Sequence, residues 1–293
     1  GLITGGLLAV RISQPVAALT ESARRYAQGE REVTVTVEGG GELAELAQAF
    51  NDMTHELMAK EQREKQLLAD IAHELRTPLT VLKSEIEAME DGLLPIDRER
   101  LAQLASQVDL LARLVQDLRL LTLAETGELP LYRQRLDLAE LVTTTLGSLS
   151  SRAAQQGVAL TPELRPVDVD VDGDRIRQAL LNLLDNALRY SPPGGKITVR
   201  LSQDGDAARL EVLDQGPGLA EADLANLFER FYRAERSRSR EGGGSGLGLA
   251  IVRSIVALHG GSVSASNRPE GGACFTMRLP LAQREQAAST SAK

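Results

Sequence analysis

Hydrophobic residues recur at intervals of 3 and 4 positions near the start of the chain, which is the period of an α-helix. This pattern predicts a helix over 12–28 and a second helix that begins near Leu43. The alternating segment VTVTV and the glycines of 29–41 predict an extended connector between them. Because each helix is too narrow to bury its apolar stripe alone, we expect a second copy of the chain to complete a small parallel bundle.

The helical pattern thins over 58–66 and then resumes as far as Leu93, where Gly92 and Pro95 favour a helix end. A partner helix with one apolar face is predicted over 101–121. Two helices joined by a short turn form a helical hairpin, and two hairpins form a four-helix bundle. The second bundle therefore also predicts a homodimer.

After about residue 131 strands and helices alternate, and Gly127 and Pro130 predict a linker ahead of this region. The predicted strands are 158–161, 167–171, 196–202, 207–213, 261–266 and 273–279, and the predicted helices lie near 137–155, 174–190 and 246–259. This alternation indicates an α/β sandwich of one mixed sheet with helices on one face. The polar residues 282–293 predict a disordered tail.

The net charge, the cysteine content and the N-terminal residues bear on the possible partners and on the cellular location. A net charge of −8 over 293 residues argues against general nucleic-acid binding, and the single cysteine, Cys274, cannot form an internal disulfide. Residues 1–10 carry no charged side chain but fall short of the roughly 20 apolar residues of a membrane span. We expect them to be the end of a longer transmembrane segment, although a frayed, glycine-rich terminus also fits.

His73 is the first candidate for chemistry. It lies two positions from both Ile71 and Leu75, so the helical period points it away from their apolar stripe. Glu74 is its neighbour, and Pro78 removes a backbone hydrogen bond and is expected to kink the helix just beyond. A neutral imidazole is a good nucleophile, and an adjacent carboxylate can orient it and take up its proton. An exposed histidine without function is the alternative.

Several later segments are suited to a nucleotide. Asn182 and Asn186 share one face of a predicted helix, and an Asp at a strand end opens the glycine-containing segment 214–219. The segment GGGSGLGLAIV over 242–252 places glycines before a helix, as in phosphate-binding loops. Each feature alone also fits a surface amide, a simple turn or a flexible loop. The arginines around FERFYR, 228–233, fit either phosphate contacts or a solvated loop.

The segment AHELRTPLT, 72–80, closely resembles the phosphoacceptor box of sensor histidine kinases. The nucleotide segments also follow one another in the order of that family's ATP-binding domain, a Bergerat-type sandwich with a mobile lid. The resemblance implies that His73 receives the γ-phosphoryl group of ATP and that Glu74 acts as base. It implies that Thr77 places a water when the same protein dephosphorylates its partner.

The resemblance also implies a nucleotide site that takes ATP with Mg²⁺. Asn182 and Asn186 would bind Mg²⁺ and phosphate, and Asp214 would read adenine. The remaining positions that match the family's pocket and lid are Tyr190, Lys196, Gly216, Gly218, Phe228, Arg230, Phe231, Arg233, Gly244, Gly246, Leu247 and Gly248.

The segment GELAELAQAFNDM, 41–53, and Pro15 resemble a HAMP signal-relay module. The implied fold is thus multidomain. Its parts are the end of a transmembrane segment at 1–10, a HAMP helical bundle at 11–63, a dimerisation and histidine phosphotransfer bundle at 64–126, an ATP-binding α/β sandwich at 131–281 and a disordered tail at 282–293. The implied setting is the cytoplasmic side of a bacterial inner membrane, with the membrane reached through a preceding segment.

The function that the resemblance implies is autophosphorylation of His73 followed by transfer to an Asp of a response regulator, in a homodimer. Three alternatives remain at this point. They are a protein that acts mainly as a phosphatase on its partner, an ATPase of the related chaperone, topoisomerase or mismatch-repair groups, and an inactive scaffold.

Overall fold

The computed structural model describes residues 16–30, 33–36, 41–232 and 245–282. The chain divides into two compact units, residues 1–80 and 81–293, which are described separately. The expectations for 1–10, for Pro15 and for the tail lie outside the described residues.

The first unit contains two helices and an extended connection. Helix α1 covers residues 16–27, and helix α2 begins at Glu42. Val33 and Val35 of the connection are buried. The side-chain amide of Asn51 holds this connection, because its Oδ1 accepts from the N–H of Val35 at 2.9 Å and its Nδ2 donates to the carbonyl of the same residue at 2.9 Å. The extended connector is therefore tied to α2 by hydrogen bonds between a side chain of α2 and the connector backbone.

Helix α2 is a single helix of 49 residues, Glu42–Glu90, that runs without interruption through the polar stretch 58–66 and through Pro78. It ends where Gly92 adopts a φ of 70°, as the sequence predicts. Helix α3 spans Arg98–Glu125, and the Asp97 side chain caps it by accepting from the N–H of Arg100 at 2.8 Å.

Apolar side chains of α2 and α3 are exposed in the single chain. They include Leu46, Met53, Leu57, Leu68, Leu79, Val81, Ile86, Leu101, Val108 and Val115. The sequence predicted these helices to bury their stripes only when a second copy closes the bundle, and their exposure in one chain agrees with that reasoning. None of the helices that the structure describes is long and apolar enough to cross a membrane.

The second unit ends in an α/β domain with seven strands in the described residues. The strands are β1 (Gln134–Asp137), β2 (Ala159–Leu164), β3 (Asp168–Val171), β4 (Lys196–Asp204), β5 (Ala207–Leu213), β6 (Ser262–Asn267) and β7 (Ala273–Pro280). A five-stranded mixed sheet has the order β2-β4-β5-β7-β6, in which β2 and β4 are parallel and the other pairs antiparallel.

The prediction of one sheet was wrong, because β1 and β3 form a separate two-stranded antiparallel sheet. The segment QRLD of β1 lacks the alternating apolar pattern of a strand and was not predicted. Backbone pairing holds it to β3, and the ion pair between Arg135 and Asp168 at 2.7 Å adds to that pairing.

Three helices pack with the sheet: α4 (Leu138–Gln155), α5 (Gly173–Tyr190) and α6 (Gly248–Leu258). Their buried residues meet buried sheet residues such as Ile197, Leu210 and Phe275. Helix α6 buries consecutive residues, Ala250–Val252, because it contacts α5 and strands on one side and α3 on another. This double contact explains why α6 is apolar around most of its circumference.

The linker after α3 is attached to the α/β domain. Leu129 is buried, the N–H of Tyr132 donates to Asp172 at 2.9 Å, and the Arg133 guanidinium donates to the carbonyl of Leu258 at 2.7 Å. The last contact caps the C-terminal end of α6 with a positive charge, which the helix dipole favours.

Candidate active site

His73 lies exposed on α2, as the helical pattern predicts, and Glu74 beside it is half-buried. The hydroxyl of Thr77 donates to the carbonyl of His73 at 3.3 Å. Pro78 has no N–H, so the carbonyl of Glu74, four residues earlier, receives no helical hydrogen bond from it. The hydrogen-bond ladder of α2 therefore lacks one bond, at Glu74, although the helix continues through Pro78.

Asp214 follows β5 directly, with a side chain that is only 3% exposed. Its Oδ1 accepts from the N–H of Gly216 at 2.8 Å and from the N–H of Ala273 at 3.0 Å. Within the described residues its Oδ2 has no hydrogen-bond partner. One carboxylate oxygen is thus fixed by the backbone, and the other can accept from a ligand.

Burial raises the pKa of Asp214, because a carboxylate loses hydration there. The two backbone N–H groups and the charge of Arg268 oppose this rise. The pKa nevertheless stays above the ordinary value of an aspartate.

The loop after Asp214 comes close to the end of α5. A Cβ at Gly216 would lie 2.9 Å from the carbonyl oxygen of Tyr190, so only glycine fits there without a shift. The N–H of Lys196 donates to the side chain of Gln215 at 2.9 Å, which ties this loop to the start of β4. The Lys196 side chain itself is exposed.

A cavity of about 570 Å³ opens beside this loop. It is lined by Arg189, Tyr190, Ser191, Pro192, Pro193, Gln215, Gly216 and Pro217. Tyr190 and Gly216 are predicted site residues, whereas Asp214 and the two asparagines of α5 are not part of its lining. The cavity therefore adjoins the predicted pocket without coinciding with it.

Asn182 and Asn186 are half-buried on α5. The side-chain nitrogen of Asn182 is buried and has no hydrogen-bond partner among the described residues. A Cβ at Gly248, the first residue of α6, would lie 3.7 Å from the Asn182 amide carbon, which places the start of α6 against α5. A buried donor beside a helix N-terminus fits a phosphate oxygen.

The amides also fit Mg²⁺ bound to nucleotide phosphates, since Mg²⁺ takes oxygen ligands and commonly keeps water and substrate phosphates among them. In the described part of the chain no group of three or more His, Cys, Asp or Glu side chains could hold a metal ion. Mg²⁺ held jointly by phosphates and Asn182 or Asn186 needs no such group.

The two ends of the predicted lid meet. The N–H of Phe231 donates to the carbonyl of Gly246 at 3.1 Å, and a Cβ at Gly246 would lie 2.8 Å from the Phe231 backbone. Leu247 is buried and Phe228 is half-buried. Arg233 and Gly244, which were predicted at this site, lie outside the described residues.

Arg230 has a partner that the sequence did not predict. Its guanidinium forms an ion pair with Glu125, the last residue of α3. Burial lowers the pKa of Arg230. Arg230 was predicted as a phosphate neighbour, and in this structure its charge is engaged by α3.

Two further side chains at the site were not predicted. Asn267 bonds to the backbone of Leu219, and Arg268 bonds to the carbonyl of Asp214. Asn267 is the last residue of β6 and Arg268 the first of the turn to β7, and the only sequence signal was the pair of glycines that follows them.

The fold defines a class of protein in which a long helix with an exposed histidine is joined to an α/β domain that carries the predicted nucleotide-binding residues. Family models match three parts of the chain. They are the HAMP domain over 7–59, the His Kinase A (phospho-acceptor) domain over 63–127 and the histidine kinase-, DNA gyrase B- and HSP90-like ATPase over 171–283.

Individual relatives agree with these matches. The chain is 40% identical over 282 residues to the signal transduction histidine-protein kinase BaeS of Escherichia coli (strain K12). This alignment covers 96% of this chain and 59% of BaeS. The chain is also 39% identical over 281 residues to the histidine-protein kinase/phosphatase MprB of Mycobacterium sp. (strain KMS). That alignment covers 92% of this chain and 53% of MprB.

The solved structure of Acinetobacter baumannii histidine kinase AdeS matches with a TM-score of 0.63 and 32% identity, covering 72% of this chain and 98% of that one. The chain belongs to the sensor histidine kinase family. It spans between half and two thirds of the length of the curated relatives named above.

Proposed function

We propose that the chain is an ATP-dependent protein histidine kinase that phosphorylates itself on His73 and passes the phosphoryl group to an Asp of a response regulator. The observation that carries the proposal is the exposed imidazole of His73 beside half-buried Glu74, in a chain of this family. Asn182 supports ATP as the donor, because its buried side-chain nitrogen has no hydrogen-bond partner among the described residues. Asp214 supports it too, because both of its backbone hydrogen bonds are made by Oδ1, which leaves Oδ2 for a ligand.

The proposed reaction is an in-line displacement at the γ-phosphorus. A ring nitrogen of His73 forms the new N–P bond, and the bond from the γ-phosphorus to the β–γ bridging oxygen breaks. ADP leaves with that bond's electron pair, and Glu74 takes the ring proton. Such transfers depend mainly on positioning and on charge neutralisation.

The nucleotide would be held by the residues that the site offers. Asp214 Oδ2 accepts from the adenine amino group, and the Asn182 amide nitrogen donates to a phosphate oxygen. Mg²⁺, when bound near Asn182 and Asn186, supplies positive charge that offsets the charge of the phosphates. The remaining predicted pocket and lid residues would surround the same nucleotide, with Arg230 released from Glu125.

Transfer onward forms a bond from phosphorus to an Asp oxygen of the response regulator and breaks the bond to His73. We also propose a phosphatase activity, in which Thr77 orients a water that hydrolyses the phosphoaspartate of the response regulator. The name of MprB, kinase/phosphatase, describes both activities in that relative and supports two activities here.

The working form would be a homodimer, because the exposed apolar residues of α2 and α3 leave a helical face that a second copy can cover. The HAMP match supports attachment to a bacterial inner membrane through the N-terminal side of the chain, with the described residues on the cytoplasmic side.

The test is incubation of the purified chain with γ-labelled ATP and Mg²⁺, beside His73→Ala and the matched control His55→Ala. His55 is also exposed on α2. We expect acid-labile label in the wild type and in His55→Ala and none in His73→Ala. Absence of label from the wild type, or its retention in His73→Ala, contradicts the proposal.

A further inference from the structure

The segment 267–272, which contains the last residue of β6 and the turn to β7, lies against the loop 214–219 that follows β5. We call these two segments the hairpin turn and the base loop. The base loop contains Asp214, and the hairpin turn contains none of the residues assigned above to ATP or to catalysis. Its contacts with the base loop are nevertheless specific.

Asn267 holds the far end of the base loop. Its Oδ1 accepts from the N–H of Leu219 at 2.7 Å, and its Nδ2 donates to the carbonyl of Leu219 at 2.8 Å. Because one amide satisfies both backbone groups of a single residue, it fixes the orientation of that residue as well as its position. Gly218 has a φ of 74°, and a Cβ there would lie 2.9 Å from the Asn267 oxygen.

Arg268 holds the first residue of the base loop, Asp214. Its Nη1 donates to the backbone carbonyl of Asp214 at 2.6 Å, and its side chain is only 17% exposed. A Cβ at Gly272 would overlap the same carbonyl oxygen, so the two backbones are in direct contact. The N–H of Ala273 then fixes Asp214 Oδ1.

The hairpin turn therefore holds the backbone of Asp214, and the N–H groups of Gly216 and Ala273 hold its carboxylate on that backbone. A hydrogen bond weakens steeply when its angle departs from linear, so a small rotation of this carboxylate matters. Adenine presents an amino donor at the position where guanine presents a carbonyl oxygen. A fixed carboxylate oxygen attracts the first and repels the second.

We infer that Asn267 and Arg268 are positioning residues that hold the base loop and thereby set the preference for adenine over guanine nucleotides. This inference rests on the proposed function, in which the base loop receives the adenine of ATP. Neither side chain needs to touch the nucleotide, since both act through the backbone of the base loop.

The test compares Asn267→Ala with the control Ser264→Ala, an exposed side chain on the same strand. Calorimetry with non-hydrolysable ATP and GTP analogues gives Kd for each, and autophosphorylation gives kcat and KM. Loss of two hydrogen bonds predicts about a tenfold higher Kd and KM for the adenine nucleotide. We expect little change for the guanine analogue, and a kcat close to wild type at saturation.

A merely structural role would lower the melting temperature and weaken both nucleotides together, with their ratio unchanged. Unchanged selectivity in folded Asn267→Ala overturns the inference. Arg268→Gln is the second variant, and the same loss of selectivity is expected from it. Failure of the wild type to bind ATP would contradict the proposed function, whereas normal ATP selectivity in both variants contradicts only this inference.

Discussion

The guanidinium of Arg230 is paired with the carboxylate of Glu125, so a residue of the predicted lid region is bound to the C-terminal end of α3. α3 also packs against α6, the helix that follows the glycine-rich segment. For Arg230 to reach a phosphate as the sequence predicts, the pair with Glu125 must open.

Glu125→Gln is therefore expected to raise the autophosphorylation rate, because it frees Arg230. The gain should be about two- to fivefold, since partly exposed ion pairs are worth up to about 1 kcal/mol. The rate is measured with γ-labelled ATP below and above KM. Glu128→Gln, an exposed linker residue, is the control. If Glu125→Gln and the control have equal autophosphorylation rates, the ion pair between Glu125 and Arg230 does not limit the reaction.

Asp214→Asn should weaken ATP binding by roughly 10- to 100-fold, because a hydrogen bond to a charged group is worth about 1.5–3 kcal/mol. The raised pKa of Asp214 adds a pH dependence. Protonation removes the acceptor, so ATP affinity should fall with acidification and begin to fall above the pH range of an ordinary aspartate.

Calorimetric Kd values across a pH series measure both effects, with Asp206→Asn as the control for an exposed aspartate. Equal affinity in Asp214→Asn, or a pH profile identical in wild type and variant, would speak against this assignment.

His259 predicts a pH dependence of stability. The imidazole is buried, its Nε2 accepts from the N–H of Asp172 at 3.0 Å, and its Nδ1 lies 2.8 Å from the carbonyl of Ile255. These contacts fit the neutral ring with its proton on Nδ1. Burial and the charge of Arg133 lower the pKa of His259, which the Ile255 contact, Asp172 and Asp170 only partly oppose.

The unfolded chain then binds more protons than the folded chain between the ordinary pKa of about 6.5 and the lowered value. The contribution of His259 to the free energy of unfolding should be constant above that range and should decrease as the pH falls below about 6.5. Urea unfolding at several pH values measures it. His259→Gln should show a smaller decrease, and an identical decrease in both proteins would exclude His259 as the source.

Much of this architecture was predictable because it follows from local periodicity. The exposure of His73 and the ends of α2 depend on residues a few positions apart, and the order of strands and helices after residue 131 depends on alternating patterns. Strand β1 was missed because its pairing with β3, rather than its own sequence, makes it a strand.

The positioning contacts were not predictable for a related reason. Asn267 and Leu219 are 48 residues apart, and Arg268 and Asp214 are 54 apart. Only the pairing of β5 with β7 brings these segments together. The pair of Arg230 with Glu125 likewise depends on the packing of α3 on the α/β domain.

Pro78→Ala should restore the hydrogen bond to the carbonyl of Glu74 and stiffen α2 near His73. Since proline in a helix interior costs about 3 kcal/mol, the variant should be more stable to urea. If bending at Pro78 controls access to His73, the ratio of autophosphorylation to partner dephosphorylation should change by severalfold. Thr80→Ala on the same helix is the control, and an unchanged ratio would show that bending there has no such role.

The most direct test is to locate the phosphoryl group. The chain has three histidines, at 55, 73 and 259, which proteolysis can separate into different peptides. After incubation with ATP and Mg²⁺, tandem mass spectrometry under neutral or alkaline conditions should find phosphohistidine on the peptide with His73. Phosphorylation of His55 or His259 instead, or of no histidine, would contradict the account.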